Sequence, residues 1–280
     1  MKEWLRSFFR KHPTIHPRRQ IRMGVFRRLT FFLRKNPPFM IIGAGKAGTT
    51  SLERYLIQHP RIDPVIVKEI HFFDFRYKFG KGWYKAHFPS VFSKNISGDF
   101  TPSYLDHPEA LHRIRKEYPW MKFIVILRDP IERSYSQYQH TKRNGDETLT
   151  FEEAIKAESK RLEGEINKTK SDPNYVPINY NRYSYLERSK YHSQLKHWFE
   201  HFDRSQFLIL QYEKVFEDLN KTMREIFKFL GLKPFEKIKF EKYNVGEDYE
   251  KINENTRNEL KEFFKPFNKK LEELVGIKYN

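Results

Sequence analysis

Not one of the 280 residues is cysteine. A disulfide scaffold, a thiolate metal site and a cysteine nucleophile are therefore excluded. Long apolar runs are missing too. No uninterrupted stretch approaches the ~18–20 residues that cross a bilayer, and the uncharged segment Asn36 to Gly45 is short and interrupted by Pro37 and Pro38. The first residues do not read as a signal peptide, because Arg and Lys recur among their apolar side chains. Acidic residues are the minority charge, 36 Asp and Glu against 53 Lys and Arg, for a net +17. Net charge governs encounter rather than fold, so this balance points to an acidic partner or substrate. What remains, 38% hydrophobic residues, suffices for one full-sized domain, alone or with an appendage.

The charge is unevenly spread. Residues 1–35 hold eleven Lys and Arg against Glu3 alone, and so carry +10 of the +17. Within them Ile21, Val25, Leu29 and Phe32 recur at near-helical spacing with arginines between. Two readings fit: a basic amphipathic helix on an anionic membrane surface, or a helix packed on the domain with its arginines in water. The expected division is a basic arm over 1–35 and one domain over 36–280.

After the prolines the pattern changes. Phe39-Met40-Ile41-Ile42 is a short apolar run, Gly43 to Thr50 is a glycine-rich turn, and Leu52, Tyr55 and Leu56 follow at helical spacing. This predicts a buried strand, a turn and a helix. Phe123 to Leu127 is a continuous apolar run, as in a strand covered on both faces; Asp129 then fits an N-cap and Pro130 the first helical position. Phe207 to Leu210 is a third strand, preceded by a helix from about Ser184 to Phe202 and followed by one from about Leu219 to Leu230 that stops at Gly231. Alternation of this kind predicts an α/β fold with a mainly parallel β-sheet flanked by helices in three layers. The polar stretch Asn144 to Asn181 reads as an irregular surface excursion.

In such a sheet, ligands bind at the carboxyl ends of the strands. A glycine turn there, leading into a helix N-terminus, offers backbone N–H groups and a positive dipole end to phosphate or sulfate. The nucleotide-kinase loop requires Lys directly before a Ser or Thr that holds magnesium. Here Lys46 precedes Gly48 and is separated from Thr49, so the magnesium arrangement is not specified.

Several segments together resemble the sulfotransferases that use 3′-phosphoadenosine-5′-phosphosulfate, and within them the heparan-sulfate type. Gly45-Lys46-Ala47-Gly48-Thr49-Thr50-Ser51-Leu52 is similar to their P-loop-like 5′-phosphosulfate loop. Lys68-Glu69-Ile70-His71-Phe72-Phe73-Asp74 resembles the segment holding their catalytic base, and Trp83-Tyr84 and Phe88-Pro89 follow as in those enzymes. Thr101-Pro102-Ser103-Tyr104 resembles their Thr-Pro-x-Tyr turn. Ile126 to Pro130 with Arg133 to Ser136 resembles the 3′-phosphate site. Tyr191, Leu195, Trp198 and Phe202, then Phe227 to Leu232, match later landmarks. The likeness runs from about Pro38 to the C-terminus, with the motifs in family order.

The resemblance implies roles. Lys46, Ala47, Gly48, Thr49, Thr50 and Ser51 hold the 5′-phosphosulfate, and Arg128 and Ser136 hold the 3′-phosphate through charge-assisted bonds. Lys46 stabilises the leaving phosphate oxygen. Glu69 is the general base, oriented by His71 or sharing substrate contact with it. An apolar wall of Phe72 and Phe73 would raise the Glu69 pKa by desolvation. The implied reaction is in-line sulfuryl transfer to a hydroxyl or amine, a carbohydrate first among acceptors. The implied co-substrate is the phosphosulfate donor, and no metal is expected.

Two departures stand out. The heparan-sulfate type often carries a lysine just before its Thr-Pro turn; here that place is Phe100, behind Asp99. The C-terminal loop that closes over the donor has only Lys242 and Tyr243 to Gly246 as weak counterparts.

His197-Trp198-Phe199-Glu200-His201 fits the H-x-x-E-H pattern of some zinc proteases. Leu195, Trp198, Phe199 and Phe202 form that helix's core stripe, however, which leaves the polar residues on a solvated face. Two competing functions are a nucleotide-kinase-like phosphate binder and a non-catalytic basic protein that binds membrane or nucleic acid through its arm. Specific nucleic-acid binding is not expected. A cytoplasmic or peripherally membrane-bound enzyme is the expected setting.

Overall fold

The computed structural model describes residues 25–172, 175–241 and 251–279. Its centre is a four-stranded sheet in the order β2-β1-β3-β4, parallel throughout, from β1 (Phe39–Gly43), β2 (Asp99–Phe100), β3 (Lys122–Leu127) and β4 (Phe207–Gln211). Every residue of β1 is buried, as are Phe123 to Leu127 of β3. This is why both read as unbroken apolar runs rather than alternating ones. The two-residue β2 is too short to leave a periodic signal, and it adds an edge strand to the three expected from the sequence.

Helices flank the sheet: α1 (Thr49–Leu56), α2 (Ala110–Glu117), α3 (Pro130–Arg143), α4 (Phe151–Leu162), α5 (Tyr191–Phe199), α6 (Leu219–Leu230) and α7 (Glu254–Val275). The predicted caps of α3 and α6 form. The Asp129 side chain accepts from the amides of Ile131 and Glu132, with Pro130 in the first turn, and Gly231 ends α6 in the left-handed conformation.

Two expectations are corrected. Residues 144–181 are not an irregular excursion. They form α4 and the shorter helices Glu165–Ser171 and Ile178–Tyr183. A capping box of Thr150 with Glu153 starts α4. Phe151 and Ala154 bury against Ile131 and Tyr138 of α3 in a second core with Tyr185, Leu260 and Phe264. The helix expected from Ser184 begins only at Tyr191, because the carbonyls of Ser184 and Tyr185 instead accept from the Arg133 guanidinium.

Ahead of the sheet, Val25–Leu29 is helical and Phe31–Leu33 is a turn of 3-10 helix. Arg27 donates to the carbonyls of Ala86 (2.9 Å) and Phe88 (2.6 Å), while Leu29 and Phe32 are exposed. The earlier part of the predicted arm, including Ile21, lies outside the described residues.

Candidate active site

β1 delivers the glycine turn to the carboxyl edge of the sheet. The Ala44 amide donates to the Ile126 carbonyl of β3 at 2.7 Å, which fastens the turn to the neighbouring strand end. A Cβ on Gly43 would lie 2.6 Å from Leu105, and Gly48, at φ 83°, sits against the Tyr212 and Phe216 rings. Neither position admits a side chain. Gly48 is also the N-cap of α1 and has no side chain to cap it. The start of α1 therefore presents the positive end of the helix to the turn, where an anion binds.

Among the described residues, three non-glycine residues have positive φ: Lys46 (71°), Glu69 (54°) and His71 (54°). The left-handed region costs an L-residue roughly 1–2 kcal/mol. Such outliers concentrate where side chains must be aimed rather than relaxed. These three are the residues assigned to chemistry from the sequence.

Lys46 is deeply set. Burial, then Arg143 and Arg133, push its pKa down to about 8, against an upward pull from Glu69. Lys46 and Glu69 therefore share one field, although 23 residues of sequence separate them. Arg128, at the end of β3, directs Nη1 toward the Lys46 carbonyl (3.5 Å), lies over the Tyr212 ring (4.9 Å) and pairs loosely with Glu132 (3.7 Å). Ser136 is half-buried on α3. It shares a face with His140 and Arg143, four and seven residues on. His140 is held down to about pKa 4 by burial, then by Lys46 and Arg143. The sequence reading missed His140 and Arg143, which only the helix period connects to Ser136.

Arg133 and Ser134 do not face a ligand. Arg133 is fully buried and its Nε donates to Ser189 Oγ (2.6 Å), while Ser134 donates to the Tyr185 carbonyl (2.8 Å). Both pin the 184–189 segment, and from that segment Arg188 forms a bidentate pair with Asp106 beside Gly45.

On the other side of the turn, Glu69 lies 3.4 Å from His71 Nε2 and 4.0 Å from Lys68 Nζ. His71 Nδ1 bonds Asp74 Oδ2 (2.7 Å), which also accepts from Ser103 Oγ (2.6 Å), and Asp74 Oδ1 accepts from the Phe75 amide (2.7 Å). Burial opposes the charged form of His71, but Asp74 and Glu69 outweigh it and raise its pKa. Burial likewise opposes the Asp74 carboxylate, yet His71, His107 and Ser103 hold its pKa well below the usual range. The result is a chain of carboxylate, imidazole and carboxylate running from the partly exposed Glu69 to the buried Asp74.

Phe72 and Phe73 are buried against Tyr84 and Tyr104. Lys68 and His71 are the ionic neighbours of Glu69, rather than the expected apolar wall. Asp74 was adjacent in the sequence and went unassigned; Ser103 arrives from the Thr-Pro turn and only folding brings it in.

Phe100 packs on Phe39 at 5.8 Å and presents no cation. Lys68 brings a cation to the first turn of α1 instead. Its ammonium bonds Thr50 Oγ1 and lies 3.8 Å from Glu53. Glu53 of α1 is a second carboxyl absent from the sequence reading. Burial pushes its pKa up to about 7 against the pull of Lys68. Of the assigned loop residues, Ala47 is fully buried, Thr49 and Ser51 nearly so, and Thr50 is half-buried. Lys242 and Tyr243 to Gly246 lie outside the described residues.

A glycine turn, an uncapped helix start and a cationic cluster at the carboxyl end of a parallel sheet define an α/β anion-binding protein. The chain belongs to the sulfotransferase family: the sulfotransferase domain matches residues 36–269. It is 27% identical over 86% of its length to a membrane-associated sulfotransferase of Dictyostelium discoideum, covering 65% of that protein. It is 28% identical over 86% of its length to human heparan sulfate glucosamine 3-O-sulfotransferase 3B1, covering 63% of it. The chain thus spans just under two thirds of these relatives. A solved sulfotransferase from Alicyclobacillus acidocaldarius superposes with a TM-score of 0.69 at 29% identity, over 88% of this chain and 98% of that one.

Proposed function

We propose that this chain transfers a sulfuryl group from 3′-phosphoadenosine-5′-phosphosulfate to a hydroxyl or amine of a carbohydrate, with Glu69 taking the acceptor proton. One observation carries the reading: Lys46, Glu69 and His71 alone among described non-glycine residues hold the left-handed backbone conformation, and they flank one anion-binding turn.

The donor fits the residues present. The 48–51 amides and Lys46 would hold the 5′-phosphosulfate, and Arg128 and Ser136 the 3′-phosphate. Arg143, Arg133 and Arg128 all act on Lys46, with Glu69 as the opposing charge, a field that an anion relieves. The donor supplies a sulfuryl group whose bond to a phosphate oxygen breaks as the acceptor atom bonds sulfur. Lys46 counters the charge gathering on that phosphate. The proton lost by the acceptor passes to a Glu69 oxygen. His71, tied through Nδ1 to Asp74, orients the carboxylate rather than acting as base. A carbohydrate acceptor, and a hydroxyl before an amine, is favoured by the heparan sulfate glucosamine 3-O-sulfotransferases among the relatives.

We read residues 1–35 as a basic arm that meets anionic membrane at a cytoplasmic or peripheral location, with the transfer domain following from 36. Exposed Leu29 and Phe32 beside Arg28 support this, as does the membrane-associated relative.

The test compares Glu69→Gln with Lys46→Ala. Glu69→Gln should lower turnover by roughly 10²–10⁴-fold and leave adenosine 3′,5′-bisphosphate binding nearly unchanged. Lys46→Ala should lower both. A folded Glu69→Gln enzyme with near-normal turnover removes Glu69 as the base.

A further inference from the structure

At the opposite end of the sheet from the glycine turn, just ahead of β4, lies a cluster that sulfuryl transfer does not use. His197, Glu200 and His201 stand on the last turn of α5 and the residue pair after it. Their ligand atoms lie within 4.8 Å of one another, and the two imidazoles are exposed or half-buried. The sequence pattern predicts this much as a solvated face. Folding adds a third imidazole from a different element. His112 of α2 sits with its ring centre 5.6 Å from that of His197 and 5.2 Å from that of His201, which are themselves 4.8 Å apart.

These ring-centre spacings suit a shared ion once the exposed His112 side chain turns a nitrogen toward the other two rings; as placed, the ligand atoms that group together are those of His197, Glu200 and His201. Imidazoles bound to one tetrahedral zinc at about 2.0–2.1 Å place their ring centres about 5 Å apart. The tautomers suit it as well. His201 Nδ1 lies 3.0 Å from the His197 carbonyl, so that nitrogen carries the proton and Nε2 keeps its lone pair, the orienting contact usual for ligating histidines. His197 Nδ1 faces Glu200 Oε2 at 3.5 Å, which leaves its Nε2 available in the same way.

We propose that His112, His197 and His201 bind a divalent transition-metal ion, zinc first among them, with Glu200 orienting His197 through Nδ1. Three imidazoles match the borderline ions rather than calcium or magnesium. The ion joins α2 to the end of α5 across at least 85 residues of sequence and braces the lead-in to β4. It is a structural staple rather than a protease centre, since Glu200 is held against the His197 ring and is not set back as a base.

The experiment uses the tag-free full chain, stripped by chelator and titrated with Zn²⁺ by calorimetry and with Co²⁺ by visible absorption. The expected result is one equivalent bound, a four-coordinate Co²⁺ band, and a rise of a few degrees in thermal midpoint with Zn²⁺. His112→Ala and His201→Ala should each weaken Zn²⁺ at least tenfold and abolish the thermal shift. His192→Ala, on the same helix but outside the cluster, should behave as the parent. All three positions are checked for folding by their metal-free midpoints. Absence of a one-to-one complex overturns the proposal. So does binding that survives both substitutions, or that His192→Ala weakens equally. Loss on His201→Ala with none on His112→Ala removes the link between helices and reduces the site to a surface pair, also overturning it.

Discussion

Replacing Asp74 by Asn tests whether the relay behind Glu69 is a charged one. Asp74 is 1% exposed, and its two oxygens accept from His71 Nδ1 (2.7 Å), Ser103 Oγ (2.6 Å) and the Phe75 amide (2.7 Å). Asparagine has one acceptor oxygen where all three neighbours are donors. Either its NH₂ faces the Phe75 amide, or it faces Ser103 and His71 and forces His71 to move its proton to Nε2. In both cases a buried ion pair is broken from one side, which costs about 3–5 kcal/mol.

The dependence on pH separates this from a packing defect. Asp74 has a depressed folded pKa, so its contribution is present above about pH 4 and is lost as pH falls through the folded value. His71 has a raised folded pKa, so its contribution is complete below about pH 6.5 and is lost as pH rises through the folded value. Both are present together near pH 5–6. Denaturant titrations of parent and Asp74→Asn should differ most there, and the difference should narrow as pH rises through the folded His71 value. A difference below about 1 kcal/mol near pH 5–6 would refute the charged relay. Turnover should fall as well, because the His71 ring beside Glu69 loses its anchor at Asp74 while the donor site is untouched.

Three further outcomes follow from the geometry. Lys46, pushed down to about 8, is half-charged in weakly alkaline solution, so binding of adenosine 3′,5′-bisphosphate should weaken as pH rises through 8, and Lys46→Arg should flatten that profile; a parent profile flat from pH 7 to 9.5 contradicts it. Arg128→Ala and Ser136→Ala should each cost roughly 1.5–3 kcal/mol in calorimetric binding of the bisphosphate, and much less for the nucleotide lacking the 3′-phosphate; equal losses would remove the 3′-phosphate role. Changing Leu29, Phe32 and Phe92, which are 70, 61 and 82% exposed, to Asp should lower cosedimentation with anionic vesicles at least tenfold at unchanged turnover, and undiminished binding would separate the membrane contact from this surface.

The elements that carry the chemistry were legible because their signals are local. A buried parallel strand must be apolar throughout, a helix start needs a cap such as Asp129, and a tight anion-binding turn needs glycine; all three show within a dozen residues of sequence. The capping box of Thr150 and Glu153 is equally local, so α4 was open to the same reasoning, and the polarity of its outer face hid it. What tertiary structure alone decided is which distant side chains meet. Ser103 reaches Asp74, His140 and Arg143 join Lys46, Lys68 brings to the first turn of α1 the cation that Phe100 does not supply, and His112 completes a cluster with His197 and His201. Those meetings depend on how β1, β3 and their helices are laid side by side. That arrangement is set by burial of the whole apolar core, and no local window of sequence contains it.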